Sequence, residues 1–382
     1  MRKRKILYIS GTRADYGLMR ETLLVIRRHP KLKMEIAATG MHLMEEFGKT
    51  INEIKKDGFK IHKINTIYEE DNKESMANFI GKFIRLLTEK IKKIKPDIIL
   101  LLGDRGEMLA GAIVGAYLGI PVAHIHGGDI TSTVDEISRH AITKLSHLHF
   151  AATKNSAERI IKMGEDPWRV FVVEAPGLDS ILNKKLFSKK EIAKKCKLNL
   201  REPILLVLQH PVSIEIEDAA WQMKQTMEAI KELRYQSIII YPNADAGGRE
   251  MIKVIEQYRK YPFIKIYKNI SHQDYLSLMK AANVMIGNSS SGIIEAPSFC
   301  LPVVNIGTRQ KGRERAESVI DVDYNKEQIK RAIKKAICDK KFREKVKKCK
   351  NPYGDGMAGI RIANILTKIK INKKLLQKKI TY

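Results

Sequence analysis

Ala281–Arg315 reads AANVMIGNSSSGIIEAPSFCLPVVNIGTRQKGRER. An apolar run to Ile286 gives way to Gly287, Asn288, Ser289, Ser290, Ser291 and Gly292. A helix-compatible Ile293-Ile294-Glu295-Ala296 follows, and Val303–Ile306 is apolar again. The order is strand, tight turn, helix, strand, the repeating unit of a parallel sheet. A serine- and glycine-rich turn at a helix start presents unpaired backbone N–H groups and the positive end of the helix dipole, which suits a phosphate or diphosphate. The same residues also make an ordinary N-cap, and both readings stand. Glu295, one turn further in, is placed to accept from a ribose diol, and Arg309, Arg313 and Arg315 lie just beyond the next strand.

The same alternation extends outward through the chain. Strand-like runs at Ile6–Ser10, Met34–Thr39, Asp97–Leu102 and Pro121–Ile125 form a first series, with helical spacing at Leu18–Arg28 and Ile80–Ile94 between them. A second series runs through Ile204–Leu208, Ser237–Tyr241, Ile264–Tyr267, Val284–Ile286 and Val303–Ile306. The pattern predicts an α/β fold of two similar halves, 1–176 and 177–358, parted at Ala175-Pro176-Gly177 and the polar Asn183–Arg201 stretch, with a ligand in the cleft between them. Ligands in open α/β sheets gather at the carboxyl ends of strands. That singles out the loops Gly103-Asp104-Arg105-Gly106-Glu107 and His126-Gly127-Gly128-Asp129.

Composition narrows the function classes. The 382 residues are 44% hydrophobic and 30% charged, as in a soluble globular protein. No apolar run approaches the ~20 residues needed to span a bilayer, and the first residues lead straight into a strand rather than a signal-peptide core. A cytoplasmic protein without membrane partners is expected. Cys196, Cys300, Cys338 and Cys349 are scattered without metal-ligand spacing, so reduced thiols and no metal are expected. The net charge of +27 invites a nucleic-acid reading. The lysines, however, are spread over most helical segments instead of forming one aromatic-interleaved stripe, so no nucleic-acid partner is expected and the charge reads as a solvated surface. Lys368–Lys379 is the one segment left as a candidate basic patch.

Six segments in collinear order, Gly11–Tyr16 (GTRADY), Gly103–Arg105 (GDR), His124–His140 (HIHGGDITSTVDEISRH), Gln209–Val212 (QHPV), Tyr241–Gly247 (YPNADAG) and Gly287–Arg313, give the chain a resemblance. It resembles the hydrolysing UDP-N-acetylglucosamine 2-epimerases, which make N-acetylmannosamine for sialic acid. The resemblance implies two Rossmann-like domains arranged as in the B-type glycosyltransferases, with the C-terminal segment 359–382 packing back on the first domain. It implies a UDP-sugar substrate and no cofactor, and we expect a homodimer or homotetramer. Carried over, the motifs make Arg13, Arg105, Asn243, Ser289, Ser290 and Arg309 contacts of the nucleotide diphosphate and put Glu295 on the ribose. Arginine forks match phosphate oxygens in bidentate fashion.

The implied reaction sets the rest of the requirement. Inverting C2 while releasing UDP proceeds by elimination to a 2-acetamidoglycal, then addition of water at C1 with reprotonation of C2 from the other face. Two proton-transfer groups and a stabiliser for the departing diphosphate are needed. Asp104 ends a buried strand, where burial is expected to raise its basicity; its alternative is a helix N-cap. Asp135 and Glu136 form a second acidic pair, and Arg139, counted among the substrate-binding residues, is spaced to keep one of them ionised. His210 ends a strand before Pro211 and is expected to polarise the diphosphate or assist proton transfer. His126 stands where members of the family can carry glutamate, HIEGGE against HIHGGD here. A histidine also serves as acid or base near neutrality, and Asp129 is available to share the work. His124, pointing the opposite way, reads as structural. The departure at His126 leaves open the same reaction on a UDP-2,4-diacetamido-2,4,6-trideoxyglucose. A non-hydrolysing 2-epimerase and a B-type glycosyltransferase share the same motifs and fold.

Overall fold

A computed structural model describes residues 2–381 other than 46–48, 70–72, 131–134, 184, 213 and 243–246, and at 73, 135, 182 and 183 the backbone alone. The chain divides into two compact units, one made of Met1–Asp129, Asp135–Leu182 and Tyr353–Tyr382, the other of Ile130–Val134 and Asn183–Pro352.

The first unit is a seven-stranded sheet of β1 (Arg4–Ser10), β2 (Leu32–Ala38), β3 (Lys60–Lys63), β4 (Ile98–Leu102), β5 (Val122–Ile125), β6 (Leu148–Ala151) and β7 (Val170–Val172) in the order β3-β2-β1-β4-β5-β6-β7. Every pairing is parallel. Residues alternate across such a strand. Ile6 and Tyr8 therefore pack with Met19 and Leu23 of the helix Arg13–Arg28, while Leu7 and Ile9 pack with Phe83 and Leu87 of Lys73–Ile94 on the opposite face. With helices on both faces, β4 (IILLL) must be apolar throughout, and none of its residues is more than 7% exposed.

The second unit repeats the plan with β8 (Ile204–Leu208), β9 (Gln236–Ile240), β10 (Ile264–Tyr267), β11 (Val284–Gly287), β12 (Val303–Ile306) and β13 (Val319–Val322), ordered β10-β9-β8-β11-β12-β13 and parallel throughout. The strand order reverses between β1 and β4 in one unit and between β8 and β11 in the other. At each reversal the flanking loops diverge and open a crevice at the carboxyl ends of the strands. The two α/β units match the expected two Rossmann-like domains. Short strands β3, β6, β7 and β13 were not assigned from the sequence.

The end of the chain returns to the first unit. The helix Ala358–Lys368 packs on Arg13–Arg28, and its first N–H groups, Ala358 and Gly359, donate to the Asp179 carboxylate at 2.9 and 2.7 Å. The basic tail beyond it is anchored through its backbone and through Lys378, while Lys368, Lys370, Lys373, Lys374 and Lys379 stay exposed. Buried Arg169 donates to the carbonyls of Leu375 (2.7 Å) and Lys374 (2.8 Å), and Lys378 reaches the buried Glu165 carboxylate at 2.7 Å. Lys144 and His149 hold the same carboxylate at 2.7 and 3.0 Å. Among the described residues no helix is long and apolar enough to cross a membrane.

Candidate active site

In the first unit the loop after β1 is organised by Asp15. Thr12 caps the helix Arg13–Arg28 in a reciprocal capping box with Asp15. The buried Asp15 carboxylate also accepts from the backbone N–H groups of Gly11 (3.0 Å) and Thr12 (2.6 Å), from Tyr8 OH (3.1 Å) and from Ser10 Oγ. A loop held by that many donors has one conformation, and it presents Arg13 at the first helical position. Arg13 is part-exposed, with Nε 3.0 Å from Glu53 Oε1.

The loop after β4 lies against it. Glu107 is fully buried beside Gly11, where any Cβ would overlap its carboxylate. Tyr68 donates to Glu107 Oε1 at 2.9 Å, and Arg105 donates to Glu107 Oε2 and to the Tyr68 oxygen, both at 3.3 Å. The Glu107 carboxylate pushes the Arg105 pKa further up, so the guanidinium stays charged. Glu107 and Tyr68, which orient Arg105, were missed in the sequence; a glutamate two residues after an arginine at a helix start carries no distinguishing signal.

Asp104 does not cap the following helix, whose N-cap position is Arg105. Its carboxylate instead meets Nη2 of Arg139, and Nη1 of the same guanidinium donates to the Asp129 carbonyl at 3.0 Å. Arg139 is buried. The ion pair fixes the position of the Asp104 carboxylate at the end of β4. Glu136, on the same helix as Arg139, sits 3.4 Å from His140 Nε2. The Asp135 side chain lies outside the described residues.

His126 follows β5, with Nδ1 2.9 Å from Asp129 Oδ2. His124 is buried, bonded through Nε2 to the Gly103 carbonyl at 2.8 Å, and burial lowers its pKa to about 3. It stays neutral and braces the β4 loop.

In the second unit the loops after β8 and β11 are clasped by one side chain. Asn288 is fully buried; its Oδ1 accepts from His210 N–H at 2.7 Å and its Nδ2 donates to His210 C=O at 2.9 Å. Its carbonyl accepts from Gln310 Nε2 (2.8 Å) and Arg309 Nη1 (3.3 Å). Gly287, at φ +125°, allows this approach, because a Cβ there would run into the Leu208 carbonyl. One asparagine thus brings His210, Ser289 and Arg309 together, and the sequence marked it only as a turn residue.

The helix that follows the phosphate-type turn is short. Ser289 caps an α-helix of five residues, Ser290–Ile294, accepting from Ser291 N–H, and a 3₁₀ turn Ala296–Phe299 follows. Pro297 lacks an N–H and stops the α-helix. An anion at this turn would therefore rely on local N–H and hydroxyl groups more than on a long macrodipole. The shielded Tyr275 hydroxyl faces Ser289, Ser291 and the buried Glu295 carboxylate, and burial raises its pKa. Asn243 lies outside the described residues.

Comparison with known proteins places the chain. It is 42% identical over 376 residues, 98% of each chain, to a hydrolysing UDP-N,N'-diacetylbacillosamine 2-epimerase of Legionella pneumophila. It is 35% identical over 340 residues, 89% of each chain, to a UDP-N-acetylglucosamine 2-epimerase of Neisseria meningitidis. Its fold is that of the crystal structure of UDP-GlcNAc 2-epimerase from Neisseria meningitidis bound to UDP-GlcNAc, with a TM-score of 0.82 at 21% identity over 96% of this chain and 100% of that one. The sequence pattern of the UDP-N-acetylglucosamine 2-epimerase family matches residues 25–367, and the chain belongs to that family of enzymes.

Proposed function

We propose that this protein is a hydrolysing 2-epimerase that converts UDP-N-acetylglucosamine to N-acetylmannosamine and UDP. The observation that supports it most directly is the placement of two proton-transfer groups, Asp104 on its arginine and His126 on its aspartate, at the carboxyl ends of the adjacent parallel strands β4 and β5. In the elimination, the C2–H bond breaks, its electrons form the C1–C2 double bond, and the C1–O electrons leave with UDP. Water then bonds C1 while C2 takes a proton from the opposite face. Asp104 and His126 are assigned these transfers, with Asp135 and Glu136 as the further acidic pair. Arg13, Arg105, Asn243, Ser289, Ser290 and Arg309 hold the diphosphate, Arg139 orders the sugar side, Glu295 takes the ribose diol, and His210 polarises the leaving group.

A second reading keeps the reaction and changes the sugar to UDP-2,4-diacetamido-2,4,6-trideoxyglucose. It is favoured by His126 in place of glutamate and by the substrate in the name of the Legionella relative. Either product feeds nonulosonic acid synthesis, of the sialic or the legionaminic type. We place the enzyme in the cytoplasm, where its four free cysteines stay reduced, and as a homodimer or homotetramer.

The test is product analysis by nuclear magnetic resonance after incubation with each UDP-sugar in heavy water. Free 2-epimer, free UDP and deuterium at C2 are expected. A UDP-linked epimer would mean the non-hydrolysing reaction, a requirement for an acceptor would mean a glycosyltransferase, and no turnover of either sugar would overturn the proposal. Asp104→Asn is expected to lower turnover by about 10²-fold or more, the range for general acid–base groups.

A further inference from the structure

We propose that Asp129 is a positioning residue that holds His126 in its Nδ1–H tautomer, making Nε2 the atom through which the histidine exchanges a proton with the sugar. The catalytic half of this statement rests on His126 acting as proposed above; the tautomer itself does not.

His126 sits at φ +62°, in the left-handed region that a non-glycine residue occupies only when its surroundings hold it there. Its N–H still donates to the Phe150 carbonyl at 3.1 Å, so the residue is tied to β6 while its backbone turns away from β5. The ring is fixed by the 2.9 Å contact from Nδ1 to Asp129 Oδ2. A carboxylate only accepts, so the hydrogen in that contact belongs to Nδ1.

Asp129 is itself immobilised from several sides. Its Oδ1 accepts from Ser156 Oγ at 2.7 Å, and its carbonyl accepts from Arg139 at 3.0 Å. The preceding carbonyl, of Gly128, accepts from Arg159. Gly128, at φ +74°, is seated so closely on the start of the helix Lys154–Lys162 that a Cβ would collide with the Ser156 carbonyl. Asp129 is tied through both its carboxylate and its carbonyl, so the carboxylate sets the ring. The guanidinium that holds the Asp129 carbonyl also holds Asp104. One buried arginine therefore registers both proposed proton-transfer groups.

The chemical consequence follows from the neutral imidazole. With hydrogen on Nδ1, Nε2 carries the lone pair and accepts a proton. The imidazolium so formed is stabilised by the Asp129 carboxylate beside Nδ1. Returning the proton from Nε2 restores the starting tautomer.

The experiment uses the full chain labelled with 15N-histidine, read by long-range proton–nitrogen correlation at a pH where the ring is neutral, with the His126 signal identified by its loss in His126→Gln. Hydrogen on Nδ1 is expected. Asp129→Asn offers an amide N–H to Nδ1 and is expected to move the hydrogen to Nε2. It should also lower kcat for deuterium entry at C2 by about 10²-fold or more, with KM within about threefold and the thermal midpoint unchanged. Ser156→Ala should show a smaller kcat loss, about tenfold, with the tautomer retained. Hydrogen on Nε2 in the native protein, or an Asp129→Asn variant with unchanged kcat, would overturn the proposal. If the native protein turns over no UDP-sugar, the functional reading fails while the tautomer measurement still decides this one.

Discussion

Replacing Asn288 with alanine isolates the clasp that joins the two loops of the second unit. The side chain makes two hydrogen bonds to one residue, accepting from His210 N–H at 2.7 Å and donating to its C=O at 2.9 Å. Its own backbone carbonyl, which takes Gln310 and Arg309, is untouched by the change. Asn288→Ala therefore orphans one backbone donor and one acceptor at a buried position, each worth about 1–3 kcal/mol, so the second unit should lose about 2–6 kcal/mol. At about 1.4 kcal/mol per tenfold, the His210 amide should exchange with solvent some 30-fold faster or more. The chain has two tryptophans, Trp168 and Trp221, one in each unit, so a Trp168→Phe background lets Trp221 report the second unit alone. Denaturant unfolding followed at Trp221, with hydrogen exchange at His210, measures both quantities. Asn288→Asp keeps the acceptor but turns an oxygen toward the His210 carbonyl, and should be worse at neutral pH and partly recover in acid. A loss below about 0.5 kcal/mol in Asn288→Ala, with His210 still protected, would refute the clasp.

Other perturbations address the first unit. Burial alone would raise the Glu165 pKa, but the bonds from His149, Lys144 and Lys378 outweigh it and hold the carboxyl at about 2. Its contribution to stability is thus present above the usual carboxylate pKa near 4.5 and is lost as pH falls toward 2; Glu165→Gln should flatten that acid limb in pH-dependent unfolding curves. Arg169→Ala removes the donor that holds the carbonyls of Lys374 and Leu375, and should expose Lys373, Lys374 and Lys378 to trypsin in limited proteolysis while the remainder stays resistant. Gly11→Ala puts a methyl group onto the Glu107 carboxylate and should cost about 1–3 kcal/mol in thermal or chemical unfolding; with Arg105 as the proposed diphosphate contact, the same disturbance should also weaken UDP binding.

The fold was legible wherever the local pattern is strong. Apolar runs such as Ile98–Leu102 and Ile204–Leu208 have to be buried on both faces, and helices spaced between them leave a parallel sheet as the solution. The strands missed, such as Val170–Val172 and Val319–Val322, are three or four residues long and only partly buried, so their pairing comes from a neighbour already in place.

The sequence by itself determined the α/β class, the loops that carry the polar residues and, through six ordered motifs, the family, because strand period, turn residues and motif spacing are local properties of the chain. Tertiary structure alone decided the partners. Arg139 lies 35 residues from Asp104, Ser156 lies 27 from Asp129 and Asn288 lies 78 from His210, and each pair meets only once the sheet is assembled. A carboxylate's charge state, a histidine's orientation and a loop's rigidity depend on those long-range partners, and no local pattern encodes which partner the fold will deliver.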